Sequence, residues 1–252
     1  MTAHATSAIV LRAVSYGESD RVVTLLGRTT GRLSALARGA RKSQRRFAGG
    51  LALCSVGDIS VRERAGAELL TLESFDVTSS HPSFGTDVAR MAHAAYVAEL
   101  VTKLCAPRQV ELGVYDWLAT FLDLLDSGGA SAERLRVFEL GLLGRLGFGP
   151  MVARCAVCGG ERSGPGPVDY RWDPDRGGAV CNACGRAGRP MPQEVRATLA
   201  LLAETSLADA TAEALPADIN RACREALLEI VKYHISGPLH SLEFIAKLGG
   251  HL

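Results

Sequence analysis

The stretch "SAIVLRAVSYGESDRVVTLLGRTTGRLSALAR", residues 7–38, decides the fold. It divides into three runs rich in apolar and β-branched residues, 7–14, 21–28 and 32–38, separated by "YGESD" at 16–20 and "TTG" at 29–31. Short runs of this kind, bounded by Gly, Ser, Asp and Thr, read as strands joined by tight turns. Working outward, "GDISVRER" (57–64) and "AELLTLESFDV" (67–77) are two more strands around a turn at Ala65-Gly66. Five short strands with a longer excursion between the third and fourth suit a small closed barrel of the oligonucleotide-binding type, the OB-fold. The edge of a plain β-sandwich would give the same strand count.

The excursion itself, "RGARKSQRRFAGG" at 38–50, holds Arg38, Arg41, Lys42, Arg45 and Arg46 within nine positions and no acidic residue. The whole chain is nearly neutral, with 28 basic and 27 acidic residues. Residues 1–80 carry a net +4 and the remainder a net −3. Such polarity suggests one surface for an anion and another for something else. Clustered Lys and Arg bind phosphates through charge and counterion release. The plain reading is a solvated basic loop, or a helix paired to acids elsewhere; five barrel strands around the segment favour nucleic acid. The only aromatic residues up to position 80 are Tyr16, Phe47 and Phe75. Binding should therefore lean on electrostatics more than on base stacking, with little sequence preference.

After "SSHPSFG" the pattern turns helical. Val88, Met91, Ala95, Ala98 and Val101 recur at steps of three or four, as do Leu112, Tyr115, Leu118, Leu122 and Leu125 up to the stop at "SGG". A third helix, roughly 132–146, carries Leu135, Phe138, Leu142 and Leu146 and breaks at "GFGP". Residues 152–190 are rich in Gly, Pro and Cys, and helical periodicity resumes at 193–205 and 217–235 before "LHSLEFIAKL". The cysteine segment thus reads as an insertion into one helical domain. The expected class is α+β. The expected organisation is an OB-fold DNA-binding domain at 1–80, a helical domain at 81–151 resuming at 191–252, and a zinc-binding module at 152–190.

"CAVCGG" at 155–160 and "CNACGR" at 181–186 form two Cys-x-x-Cys turns. Tetrahedral Zn²⁺ takes four such sulfurs, Cys155, Cys158, Cys181 and Cys184, and leaves no open position for catalysis, so one structural Zn²⁺ is expected. Gly159 and Gly185 follow the second cysteine of each pair and let the backbone turn around the ion. The intervening "VDYRW", "DPDRGG" and "AVC" give a β-ribbon. Redox dithiols or buried thiols are the alternative, and two matched pairs weigh against it. Cys54, Cys105 and Cys223 read as small buried apolar residues.

No catalytic set emerges. Glu18 and Asp20 read as parts of a polar turn, and the glycines at 141, 144, 147 and 149 lack the Lys-Ser/Thr ending of a phosphate loop. None of the six histidines sits in a recognisable motif. The N-terminus carries no secretory pattern and no segment approaches the apolar length of a membrane span, so a reducing cytoplasmic compartment is expected.

Together these stretches resemble the bacterial recombination mediator family RecO. The resemblance rests on "IVLRAVSYGESDRVVTLLGRTTGRLSALARGARKSQRRFAGGL", on "LRVFELGLLGRLGFGP" and on the two cysteine pairs, and it covers nearly the whole chain. It implies a protein of the bacterial nucleoid that is not an enzyme. Such a protein binds single- and double-stranded DNA and anneals complementary strands. It contacts RecR and the acidic tail of single-stranded-DNA-binding protein, and helps load RecA onto coated strands. It also implies DNA contacts by Arg21 together with Arg38, Arg41, Lys42, Arg45 and Arg46. His240 stands where family members often carry a basic residue of an anionic-tail site, and Arg136 is the expected exposed cation for that tail. A zinc-ribbon transcription or RNA-binding factor and a dithiol oxidoreductase are the rival readings of the residues.

Overall fold

The computed structural model describes residues 3–43, 45–47, 50–63, 69–160, 170–210 and 215–247. Five strands, β1 (Ala3–Tyr16), β2 (Asp20–Gly27), β3 (Gly31–Ala37), β4 (Val56–Arg62) and β5 (Leu70–Ser79), close into a barrel in the order β1-β2-β3-β5-β4. Every pairing is antiparallel except β3 with β5, where Ala35 faces Leu70 and Leu36 faces Thr71. This is the barrel expected from sequence rather than a sandwich edge. The expected turn at Ala65-Gly66 lies outside the described residues.

Strand alternation builds the interior. Successive side chains point to opposite faces, and β3 alternates buried and half-buried at every step. Leu33, Ala35 and Ala37 point inward with Val23 and Leu25 from β2, Ile59 and Val61 from β4, and Leu72 and Phe75 from β5. Burying a side chain such as Leu, Val or Phe stabilises by about 1.5–3 kcal/mol. One fourteen-residue strand serves both neighbours: residues 3–9 of β1 pair with β4, and residues 8–16 pair with β2. A register shift between Val10 and Arg12 bends it between the two. On the open stretch of the β3 edge, Arg32 bridges Pro107, and Arg108 donates its N–H to the Arg32 carbonyl at 2.7 Å.

Among the described residues six α-helices follow: α1 (Val88–Leu104), α2 (Val114–Gly128), α3 (Ala132–Arg145), α4 (Gln193–Glu204), α5 (Ala217–His234) and α6 (His240–Lys247). Asp87 caps α1 by accepting the N–H groups of Ala89 and Arg90. The periodicity of α1 misleads at its start, because Val88 and Met91 are exposed, 49% and 37%. From Ala92 onward the helix is buried over most of its circumference, since β1, α2 and α6 all pack on it. Small residues such as Ala92, Ala94 and Ala98 permit that close approach. The expected second helix begins after Leu112, which is 91% exposed in the preceding loop.

Packing groups residues 1–129 with 238–252 in one compact unit and residues 130–237 in another. The first holds the barrel, α1, α2 and α6. The second holds α3, α4 and α5 with a three-stranded sheet ordered β7-β6-β8: β6 (Tyr170–Asp173), β7 (Gly178–Cys181) and β8 (Arg189–Met191). Two of these strands match the expected ribbon; β8, three residues with a central Pro190, gives no strand signal in sequence. The sheet is fastened to α5. Trp172, fully buried, donates its indole N–H to the Ala226 carbonyl at 3.1 Å, and Arg189 pairs with Glu229 at 2.9 Å. No described helix is long and apolar enough to cross a membrane.

Candidate nucleic-acid interface and metal centre

The basic segment leaves β3 at Arg38 and is tied down at both ends. Gly39 takes φ +65°, a conformation that favours glycine, and donates its N–H to Asp20 Oδ1 at 2.8 Å. That bond, with the Ser19 hydroxyl and the nearby Arg38 charge, holds the Asp20 carboxyl below its usual range. Arg41 donates its backbone N–H to the Ser19 carbonyl at 3.0 Å and its guanidinium to the Glu18 carbonyl at 3.3 Å. At the far end Phe47 plugs into the barrel core, 3% exposed, and the Arg46 carbonyl accepts the Phe75 N–H from β5 at 2.9 Å. The Arg46 guanidinium donates to the Arg38 carbonyl at 2.8 Å and lies 5.3 Å from the centre of the Phe47 ring. The described residues of the loop therefore form an arch anchored at both ends.

Arg38, Arg41, Lys42, Arg45 and Arg46 are all exposed on this arch. Among the described residues none of the five forms an ion pair with a carboxylate, whereas Arg28, Arg62 and Arg108 on the same unit are paired with Asp116, Glu73 and Glu63. Arg21 is half-buried on β2, opposite Ala37 at the root of the arch. The arrangement concentrates positive potential at one corner of the barrel, in a geometry open to a phosphate backbone. Asp20, which the sequence presents as an ordinary turn residue, positions the arch. No local pattern could reveal this, because its partner lies nineteen residues away.

Arg136 is not the exposed cation expected from sequence. It is 1% exposed and pairs with Glu139, equally buried, at 3.1 Å. The reason is α3 itself: residues 135–140 are all buried, so the helix has no solvent face at that position. His240 is exposed and opens α6.

The four cysteines of the two pairs converge, with all sulfurs within 4.8 Å of one another. Cys158 and Cys181 Sγ are 3.9 Å apart, close to the roughly 3.8 Å that tetrahedral Zn–S bonds of about 2.3 Å would set. Gly159 takes φ +69°, as its position demands; Gly185 has no such backbone, and a Cβ there would clash only with the flexible tip of Arg176, so the turn does not require a glycine at 185. Burial pushes the Cys155 thiol up, but the N–H groups of Cys181, Cys158 and Val157 overcome it and bring it down to about 6. This donor set is compatible with a metal ion such as zinc. Cys184 is pushed the opposite way to Cys155, up to about 12, by its neighbouring sulfurs. Cys54, Cys105 and Cys223 are buried thiols pushed up to about 12, 12 and 11 by loss of solvent, consistent with apolar packing roles.

Residues 1–81 match the family model for the recombination protein O N terminal region, and residues 85–243 match the model for its C terminal region. The chain belongs to the RecO family. The DNA repair protein RecO of Anaeromyxobacter sp. (strain Fw109-5) is 41% identical over 245 residues, covering 96% of this chain and 94% of that one. The RecO proteins of Myxococcus xanthus and Geobacter sulfurreducens are 35% and 34% identical, each over 96% of both chains. The boundary between the two RecO models falls just after β5, where the barrel ends.

Proposed function

We propose that this RecO-family chain is a non-enzymatic mediator of DNA repair and recombination that binds single- and double-stranded DNA and anneals complementary strands. The observation that carries the reading is the anchored arch, with five exposed cations of which none is in an ion pair with a described carboxylate. Two phosphate backbones brought to one basic surface repel each other less, which lets bases pair. Arg38, Arg41, Lys42, Arg45 and Arg46 contact phosphates, with Arg21 at the root of the arch. A structural Zn²⁺ held by Cys155, Cys158, Cys181 and Cys184 braces the second unit and takes no part in chemistry. Family membership supports action with RecR and with the acidic tail of single-stranded-DNA-binding protein, leading to RecA loading. In that scheme the tail is met by cations other than Arg136, whose guanidinium is sealed inside α3's packing.

Strand annealing, measured with and without single-stranded-DNA-binding protein, tests the reading directly. Affinity at several salt concentrations tests the arch. Each neutralised phosphate contributes about −0.7 to the slope of log K against log[salt] for single strands, so five contribute roughly −3.5. Replacing all five cations with Ala should flatten the slope by up to that amount and leave sequence preference unchanged. An unchanged slope in folded protein would place the DNA surface elsewhere.

A further inference from the structure

Of the three aromatic residues in the barrel region, Phe47 and Phe75 are consumed by the core, 3% and 0% exposed. Tyr16 is 59% exposed, at the tip of the β1–β2 hairpin. An aromatic ring left in water beside a cluster of cations needs a reason, and the pairing register supplies its setting. Tyr16 faces Asp20 across the hairpin, and the next outward row is Val14, Val22 and Leu36, each opposite the next on β1, β2 and β3. Val14 is 37% exposed, and Val22 and Leu36 are half-buried, so this row is an apolar strip on the outer face of the sheet. The same hairpin is bound to the basic arch: Ser19 and Glu18 carbonyls accept from Arg41, and the Asp20 carboxylate accepts from Gly39. Ring, apolar strip and cations therefore belong to one fixed corner. Of the two acids there, Asp20 is already committed to the arch.

From this we infer that Tyr16 is a stacking platform for an unpaired base, extended by Val14, Val22 and Leu36, and that it makes the surface favour single strands over duplex. The occupant follows from the nucleic-acid reading of the arch: five exposed cations hold the phosphate backbone, and the part of a strand that packs on an aromatic and aliphatic face is a base freed from its stack. In a duplex the base faces are buried against each other and cannot reach the ring. The inference rests on the nucleic-acid reading of the arch. It also changes the expectation drawn from composition, in which stacking plays little part.

The test compares wild type, Tyr16→Ala and Tyr16→Phe by fluorescence anisotropy on three probes: a single-stranded oligonucleotide, an abasic strand of equal length and charge, and a duplex. Tyr16→Ala should weaken single-strand binding about fivefold or more, the low end of what one base–aromatic stack contributes. Its affinity for the duplex and the abasic strand should stay within about twofold, and the salt slope should not move. Tyr16→Phe should restore single-strand affinity, because the ring alone stacks. Circular dichroism and melting of each variant check the fold, which an exposed turn residue should not disturb. If wild type binds strongly and Tyr16→Ala loses nothing, or loses equally on all three probes, the stacking role is wrong while the arch stands. If wild type binds none of the probes, both readings fall.

Discussion

Ser241 donates both its hydroxyl and its N–H to one carboxylate oxygen of Glu99, at 2.6 and 2.8 Å, across 142 residues of sequence. The second oxygen of Glu99 accepts the His240 N–H at 2.9 Å. A side chain from α1 thus satisfies the N–H groups that the start of α6 would otherwise leave open. Burial alone would raise the Glu99 carboxyl, yet these donors hold it below its ordinary value.

Replacing Glu99 with Ala should loosen α6 from α1 at a cost of about 1 kcal/mol, the usual scale for losing a helix cap. Amide exchange across 240–247 should accelerate relative to wild type at neutral pH. Because the folded-state value is depressed, the stabilisation is full above the ordinary value of 4.5 and lost as pH falls through the lowered one. The ratio of variant to wild-type exchange should therefore approach one in acid. A ratio that stays constant with pH would mean that the carboxylate charge contributes nothing.

The Asp20–Gly39 bond should be visible in the same way. The Gly39 amide resonance should titrate with Asp20, with a midpoint below the ordinary 3.8. This one anchor is in place above the ordinary value and lost as pH drops through the lowered one, while the Arg41, Arg46 and Phe47 contacts keep the arch on the barrel. In Asp20→Asn the titration should vanish while the barrel stays folded. A Gly39 amide that ignores pH in wild type would refute the anchor.

Arg136→Ala should be costly. It leaves Glu139 buried without its guanidinium, which destabilises by about 3–5 kcal/mol where a buried pair is broken. The double substitution Arg136→Met with Glu139→Leu should recover much of that loss, because apolar residues of similar volume do without the pair. Chemical denaturation of the three proteins decides this. Equal losses for single and double variants would mean that packing, not charge, sets the effect.

Cys158→Ser should lower bound metal below one ion per chain and destabilise the second unit by several kcal/mol, less than the roughly 10 kcal/mol that structural zinc supplies in small zinc-finger peptides. Because Trp172 and Arg189 hold the sheet to α5, chelation should alter helix melting as well as the cysteine region. The salt slope of DNA binding should not change, since the arch belongs to the first unit. Metal-free protein with unchanged melting would remove zinc from the account.

Much of this was legible in sequence because it is written locally. Short apolar and β-branched runs bounded by turn residues between Ala8 and Ala37 encode three strands, and two Cys-x-x-Cys turns encode a metal centre whatever surrounds them. Other features depend on partners far away. Nothing around Leu239–Phe244 announces that α6 packs on α1, because the information sits in Glu99. Arg136 looks like an exposed cation because a charge within a helix is usually solvated; only an α3 buried on every side turns it inward. Val88 and Met91 fit an apolar stripe, yet the contacts that bury α1 begin one turn later. Tyr16 could be seen as an aromatic residue, but whether it fills a core or faces water is decided by the register of β1 on β2.

The closure of the barrel bears on solubility. An open sheet exposes a row of peptide groups that can recruit another chain, and long bare edges seed aggregation. Here β1 is hydrogen-bonded to both β2 and β4, and β5 links β3 to β4. The stretch of β3 that β5 does not reach is met at Arg32 by Pro107 and Arg108. On the proposed DNA strand, neighbouring copies could then sit side by side without their barrel strands merging.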